Sequence, residues 1–213
     1  LYGRTDRLYV KRYEEETNLR CQLVIDASSS MYFPLEKKAN PESPDKISFS
    51  VYAAAALLHL LRRQRDAAGL TVFTNEVKLH TGAHSNLVHM KRLYTELEKL
   101  LNNKEAHSGQ TTSAASTLHQ IAENIHKRSL VVVFSDMLDE DPEGNEVFNA
   151  LQHLKHNKHE VILFHVADKQ FEIDFDFENK PYRFIDMETR EEIKIRPHEL
   201  REGYRERMKA FTQ

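Results

Sequence analysis

A doubly wound α/β fold, with a mostly parallel sheet and helices on both faces, is the class this sequence predicts, and three features predict it. Strand-like and helix-like stretches alternate from Arg20 to Val166, the pattern of successive βαβ units. Residues 20–26 and 129–135 are apolar along most of their length, as strands covered on both faces should be. Both runs lead into an acid, Asp26 or Asp136. Beyond Val166 the character changes to a C-terminal strand–helix extension. Three parts are therefore expected: an N-terminal outer strand and lead-in over 1–18, the α/β domain over 19–168, and a hairpin and helix over 169–213.

Residues 7–14 roughly alternate and carry aromatic and β-branched side chains, which reads as an outer strand. Residues 20–26 form the next one. Pro34, Asn40-Pro41 and Ser43-Pro44 then break the pattern, leaving a loop of about a dozen residues, long for structural filler. Tyr32 and Phe33 start that loop and are expected to border whatever binds there. Ser43-Pro44 reads as a cap followed by proline at the first helical position, with the helix running on to about Arg65. Ile47, Val51, Ala54, Ala55, Leu58 and Leu61 make one apolar face, which Phe49, Tyr52, Ala56 and Leu60 are expected to widen. The closing Arg62-Arg63-Gln64-Arg65 complements the helix dipole.

Residues 70–74 read as a short buried strand and 76–80 as an antiparallel edge strand, joined tightly at Thr74-Asn75. Leu87, Met90, Leu93, Tyr94, Leu97, Leu100 and Leu101 predict a helix over 86–101, stopped by Asn102-Asn103. Gly109-Gln110-Thr111-Thr112-Ser113 is a turn that starts a helix over 114–127, buried through Leu118, Ile121, Ala122 and Ile125. The strand over 129–135 follows, then an acidic turn over 137–144, a helix over 146–157 and a strand over 160–166. Residues 171–177 alternate acid with aromatic, 182–196 read as two strands, and a charged helix over 197–211 ends the chain.

Formal net charge is −3 with acids and bases interspersed, so nothing marks a nucleic-acid footprint. Cys21 stands alone, which excludes an internal disulfide scaffold and fits a reducing, cytoplasmic setting. No apolar run approaches the roughly 20 residues of a membrane helix. The sequence opens on Leu1 without an initiator methionine and is treated as a fragment.

The chemistry gathers at Asp26-x-Ser28-x-Ser30, where a buried strand delivers three oxygen side chains to one tight loop. Oxygen-only ligands favour a hard cation such as Mg²⁺. If the unit over 70–80 builds outward on one side of the first strand, the strand ending at Asp136 takes the other. Strand order reverses there, and ligands of such sheets bind at that crevice. Thr111, opening the helix that leads into this second strand, can overhang it.

Asp26-x-Ser28-x-Ser30, Gly109-x-Thr111 and Asp136 resemble, in order and spacing, the metal-ion-dependent adhesion site of von Willebrand factor A domains. Residues 7–16 and the tail from Phe184 to Tyr204 look like the bacterial family called domain of unknown function 58. The resemblance implies a von Willebrand A-like, Rossmann-like domain. Ser28 and Ser30 would be direct ligands of Mg²⁺, or of Mn²⁺ or Ca²⁺, with Thr111 direct or through water and Asp26 and Asp136 acting largely through bound waters. The remaining coordination position would go to an Asp or Glu of a partner protein. The resemblance also implies a MoxR-type AAA+ ATPase, or its client, as that partner. Tyr32, Phe33, Gln110 and Met137 are the candidate partner-contacting residues. Ala27 and Ser29 depart from the pattern, standing where glycine is often seen.

A non-catalytic binding module is therefore expected. The alternative is a Mg²⁺-dependent phosphohydrolase using Asp26, whose chemistry needs a second acid two residues on. Ser28 holds that place. No Gly-x-Ser-x-Gly elbow and no glycine-rich phosphate loop occurs. The 12 histidines are expected at the surface, with His165, inside an apolar strand, a satisfied core residue.

Overall fold

The computed structural model of the chain describes residues 19–34, 44–102, 114–137, 145–186 and 191–211. In order the elements are β1 (Arg20–Asp26), α1 (Lys46–Gln64), β2 (Ala67–Phe73), β3 (Val77–His80), α2 (Leu87–Asn102), α3 (Ala114–Asn124), β4 (Leu130–Ser135), α4 (Asn145–His156), β5 (Glu160–His165), β6 (Tyr182–Ile185), β7 (Glu192–Ile195) and α5 (Pro197–Phe211). A 3-10 turn covers Ser29–Tyr32 and a single π-helical turn covers Lys169–Ile173.

Strands β1 to β5 form one five-stranded sheet in the order β3-β2-β1-β4-β5, with only β3 antiparallel. Residues 21–26 of β1 are all buried, so the strand has to be apolar on both faces. Leu23 and Ile25 pack with Ile47, Val51, Leu58, Met90 and Leu93 of α1 and α2. Val24, pointing the other way, packs with Leu118 and Ile121 of α3 and Leu154 of α4. Each fully buried leucine or isoleucine contributes on the order of 2 kcal/mol. Helices thus cover both faces, and β1 is the central strand.

Gln22 is the polar residue in the interior of β1. Its Nε2 donates to Thr71 Oγ1 at 2.9 Å and to the Thr81 carbonyl at 3.1 Å. A Cβ at Gly69 would collide with the Gln22 side chain and the Thr81 backbone, so this close approach requires glycine.

Several expectations need correction. Helix α1 starts at Lys46 rather than after a Ser43 cap. Asp45 is the cap, accepting from the Ser48 amide at 2.8 Å through Oδ1, and Ser43 lies outside the described residues. Phe49, Tyr52 and Leu60 are 43%, 39% and 51% exposed, so they do not widen the buried face of α1. Strand β2 begins three residues earlier than its apolar run suggests, and α3 ends three earlier. His165 is exposed rather than core, while His159 is buried rather than at the surface. The outer strand over 7–14 and the turn over 138–144 lie outside the described residues.

Strands β6 and β7 pair antiparallel as a separate two-stranded sheet. Phe175 stacks on Tyr204 of α5 with ring centroids 4.4 Å apart, and Phe177 meets Tyr182 and Phe184. These aromatics explain the alternating pattern after Phe171: they supply the extension's own apolar contacts.

Candidate functional site

The register Ile25 to Phe134 between β1 and β4 brings the carboxyl ends of both strands side by side. Asp26 therefore ends one strand beside Ser135 and Asp136 at the end of the other. Asp26 is held from two directions: its Oδ1 accepts from the Ser28 amide at 2.9 Å, and its Oδ2 accepts from the Ser135 hydroxyl at 2.6 Å. Burial, then the neighbouring Asp136 charge, pushes the Asp26 carboxyl up to about 6, against the pull of these hydrogen bonds.

The 3-10 turn follows directly. The Met31 amide bonds to the Ser28 carbonyl and the Phe33 amide to the Ser30 carbonyl, at 3.1 and 3.0 Å. This tight winding puts Ser28 Oγ and Ser30 Oγ 3.0 Å apart. Adjacent oxygens of an octahedral Mg²⁺ shell with bonds of about 2.1 Å sit about 3.0 Å apart. The Tyr32 hydroxyl, pushed up to about 12 by burial and then by Asp45 and Asp26, is buried with no hydrogen-bond partner among the described residues. A buried unpaired hydroxyl is the kind of group that an ion's water shell satisfies.

Met137, immediately after Asp136, has a left-handed backbone with φ of 52°, and its amide donates to Ser135 Oγ at 3.0 Å. A side chain other than glycine in that region signals local strain, a frequent companion of functional sites. His165 Nε2 lies 3.1 Å from the Asp136 carbonyl.

Lys46, absent from the sequence reading, is part of this cluster. Its Nζ donates to Asp136 Oδ2 at 2.9 Å and to Glu172 Oε1, with the lysine side chain 2% exposed. Burial works against the ammonium, but Asp136 and Glu172 outweigh it and hold its pKa above the ordinary lysine value. Two features signal Lys46 in hindsight. It is a lysine in the first turn of a helix, where the dipole disfavours positive charge, and it lies on the same side as the buried Ser50 one turn later. Among the described residues, three carboxylates and one ammonium give the cluster two net negative charges, the complement of one divalent cation.

The remaining expected site residues are distributed as follows. Asp26, Ser28, Ser30 and Asp136 come together. Thr111 and Gln110 lie outside the described residues. Tyr32 is 9% exposed and packs in the core, so it is not the rim residue expected; the 3-10 turn rolls its ring inward. Phe33 is half-buried against Phe171, with centroids 5.9 Å apart. Met137 is half-buried against the cluster around Val24.

A family model described as "Protein of unknown function DUF58" matches residues 2–212. The chain belongs to that family. No curated protein matches it. Among solved structures, this DUF58 chain is similar to the conserved hypothetical protein BatB from Bacteroides thetaiotaomicron, at 14% identity and a TM-score of 0.50, over 89% of this chain and 84% of that one. It is also similar to an aerotolerance-related membrane protein from Bacteroides fragilis, at 16% identity and a TM-score of 0.52, over 89% and 87%. At such identities the likeness is one of fold alone.

Among the described residues of the DUF58 chain, no three His, Cys, Asp or Glu side chains gather as a metal site by themselves. A cation at β1 and β4 would need the serine hydroxyls. His153 meets His119, Nδ1 to Nδ1 at 3.0 Å. No helix among the described residues is long and apolar enough to cross a membrane.

Proposed function

We propose that this protein is a von Willebrand A-like, non-catalytic binding module whose crevice at the ends of β1 and β4 holds a divalent cation and engages an acidic side chain of a partner. The observation that carries the reading is the 3.0 Å approach of Ser28 Oγ to Ser30 Oγ beside the buried Asp26 carboxylate. Two hydroxyls in that relation offer lone pairs to one ion, and the net negative charge of the cluster suits a 2+ partner. Ser28 and Ser30 would hold the ion directly, while Asp26 and Asp136, both engaged in hydrogen bonds of their own, would act mainly through its waters. Thr111 is the proposed third hydroxyl.

A bound Mg²⁺ supplies a hard positive charge with a coordination position open to an incoming carboxylate. The chain's residues do the rest. Ser135 and the Ser28 amide fix Asp26 in place, and the 3-10 turn keeps the two hydroxyls from separating. The resemblance to proteins found beside MoxR-type AAA+ ATPases makes such an ATPase, or its client, the first partner to try.

Thermal unfolding with and without Mg²⁺ or Mn²⁺ tests this reading. The melting temperature rises with either ion, and Asp26→Ala abolishes the rise. A flat wild-type response contradicts it. Capture of the partner should be lost in EDTA; capture indifferent to the chelator assigns binding to another surface.

A further inference from the structure

The buried Lys46 ammonium ties the crevice to the C-terminal segment, a link that the cation reading alone does not require. Lys46 opens α1, where its charge meets the positive end of the helix dipole. The placement is unfavourable unless carboxylates compensate, and two do: Asp136 at 2.9 Å and Glu172. Glu172 comes from the turn after β5 and is itself fixed, its Oε2 accepting from the Asp168 amide at 2.6 Å. Asp168 caps that turn through a 2.9 Å bond from the Phe171 amide. Phe171 rests edge-on against Phe33, whose ring centroid is 5.9 Å from Lys46 Nζ. Both charged and aromatic contacts therefore hold the segment over 168–173 against the crevice.

We propose that Lys46 is an internal counter-ion that sets how tightly the crevice holds a divalent cation, and that Glu172 offsets it, making the C-terminal segment part of the site's affinity control. The proposal rests on the cation reading above. Asp136 is shared between the ammonium and the cation, so like charges compete for one carboxylate. Removing the Lys46 charge removes one competitor of the cation for Asp136. Removing the Glu172 charge leaves Lys46 facing Asp136 and the cation without compensation. The two changes must act with opposite sign, although both break the same ion pair.

The test is a Mn²⁺ titration, read by the electron paramagnetic resonance signal of free Mn²⁺, on wild type, Lys46→Met and Glu172→Gln. Lys46→Met should bind about tenfold tighter and Glu172→Gln about tenfold weaker, as expected for charge changes a few ångströms from the ion in a partly screened site. Should Lys46→Met fail to fold, Lys46→Gln removes the same charge and supplies the tighter binding that separates the proposal from a structural link. A merely structural link predicts that both variants weaken binding, and that result overturns the proposal while leaving the cation reading intact. So does Mn²⁺ binding unchanged in either variant. Absence of binding in all of them overturns the cation reading and this proposal together.

Discussion

Lys46 Nζ lies 2.9 Å from Asp136 Oδ2, and the two side chains are 2% and 3% exposed. An ion pair this deep is costly to assemble, yet removing one partner takes the compensating charge away from a buried group. Lys46→Met should accordingly destabilise the cation-free protein by about 3–5 kcal/mol, read by urea unfolding in EDTA. A change under about 1 kcal/mol would contradict this and mean that other contacts of the cluster compensate the lost ammonium.

Asp26 predicts the opposite outcome. Its folded pKa of about 6 stands above the ordinary 3.8, so the native state binds this proton more tightly than the unfolded chain does. The contribution is fully present below 3.8 and is lost as pH rises through 6. Asparagine keeps an acceptor for the Ser28 amide without the charge. Asp26→Asn should therefore stabilise the cation-free protein at pH 7, by about 3 kcal/mol at most, with the advantage over wild type shrinking as pH falls from 7 towards 4. Chemical unfolding across that range checks it; destabilisation at pH 7 contradicts it. The same variant should lose the stabilisation by Mg²⁺, a trade of function for stability.

His159 carries a pH dependence of the other sign. Its Nδ1 accepts from the Ser129 amide at 3.3 Å, and burial lowers its pKa below the ordinary 6.5. A depressed folded pKa gives stability that is complete above the unfolded value and lost as pH falls below it. His159→Gln should flatten that acid-side loss as pH falls below 6.5. The NMR titration of the His159 ring should have its midpoint below those of exposed histidines.

Cys21 should be inert in the folded state. Burial, then Asp66, pushes its thiol up to about 12, which removes the reactive thiolate at neutral pH. Labelling by an aromatic disulfide reagent should proceed only at the rate of unfolding, so denaturant should accelerate it in step with the loss of helical signal. Fast labelling of native protein would place β1 outside a stable core.

The parallel sheet was legible because strands buried on both faces must be apolar at nearly every position, a signal that 20–26 and 130–135 carry strongly. The order of β2, β1 and β4 followed from chain connectivity, and with it the meeting of Asp26 and Asp136. The Lys46–Glu172 link was not legible, since 126 positions separate the two residues and no periodicity reports a contact between a helix start and a turn after the last parallel strand. Tyr32 and Phe49 erred in opposite directions for one reason. An aromatic ring reads as apolar wherever it stands, and only tertiary packing decides that the 3-10 turn buries Tyr32 while α1 leaves Phe49 outside. The short cap at Asp45 was hidden by the more conspicuous Ser43-Pro44 just before it.

Anomalous diffraction from crystals of this protein soaked in Mn²⁺ tests the central claim most directly. The account predicts one strong peak at the ends of β1 and β4, within about 2.3 Å of both Ser28 Oγ and Ser30 Oγ, that disappears in Asp26→Ala. A peak elsewhere, or saturating Mn²⁺ that leaves these hydroxyls without an ion, contradicts it.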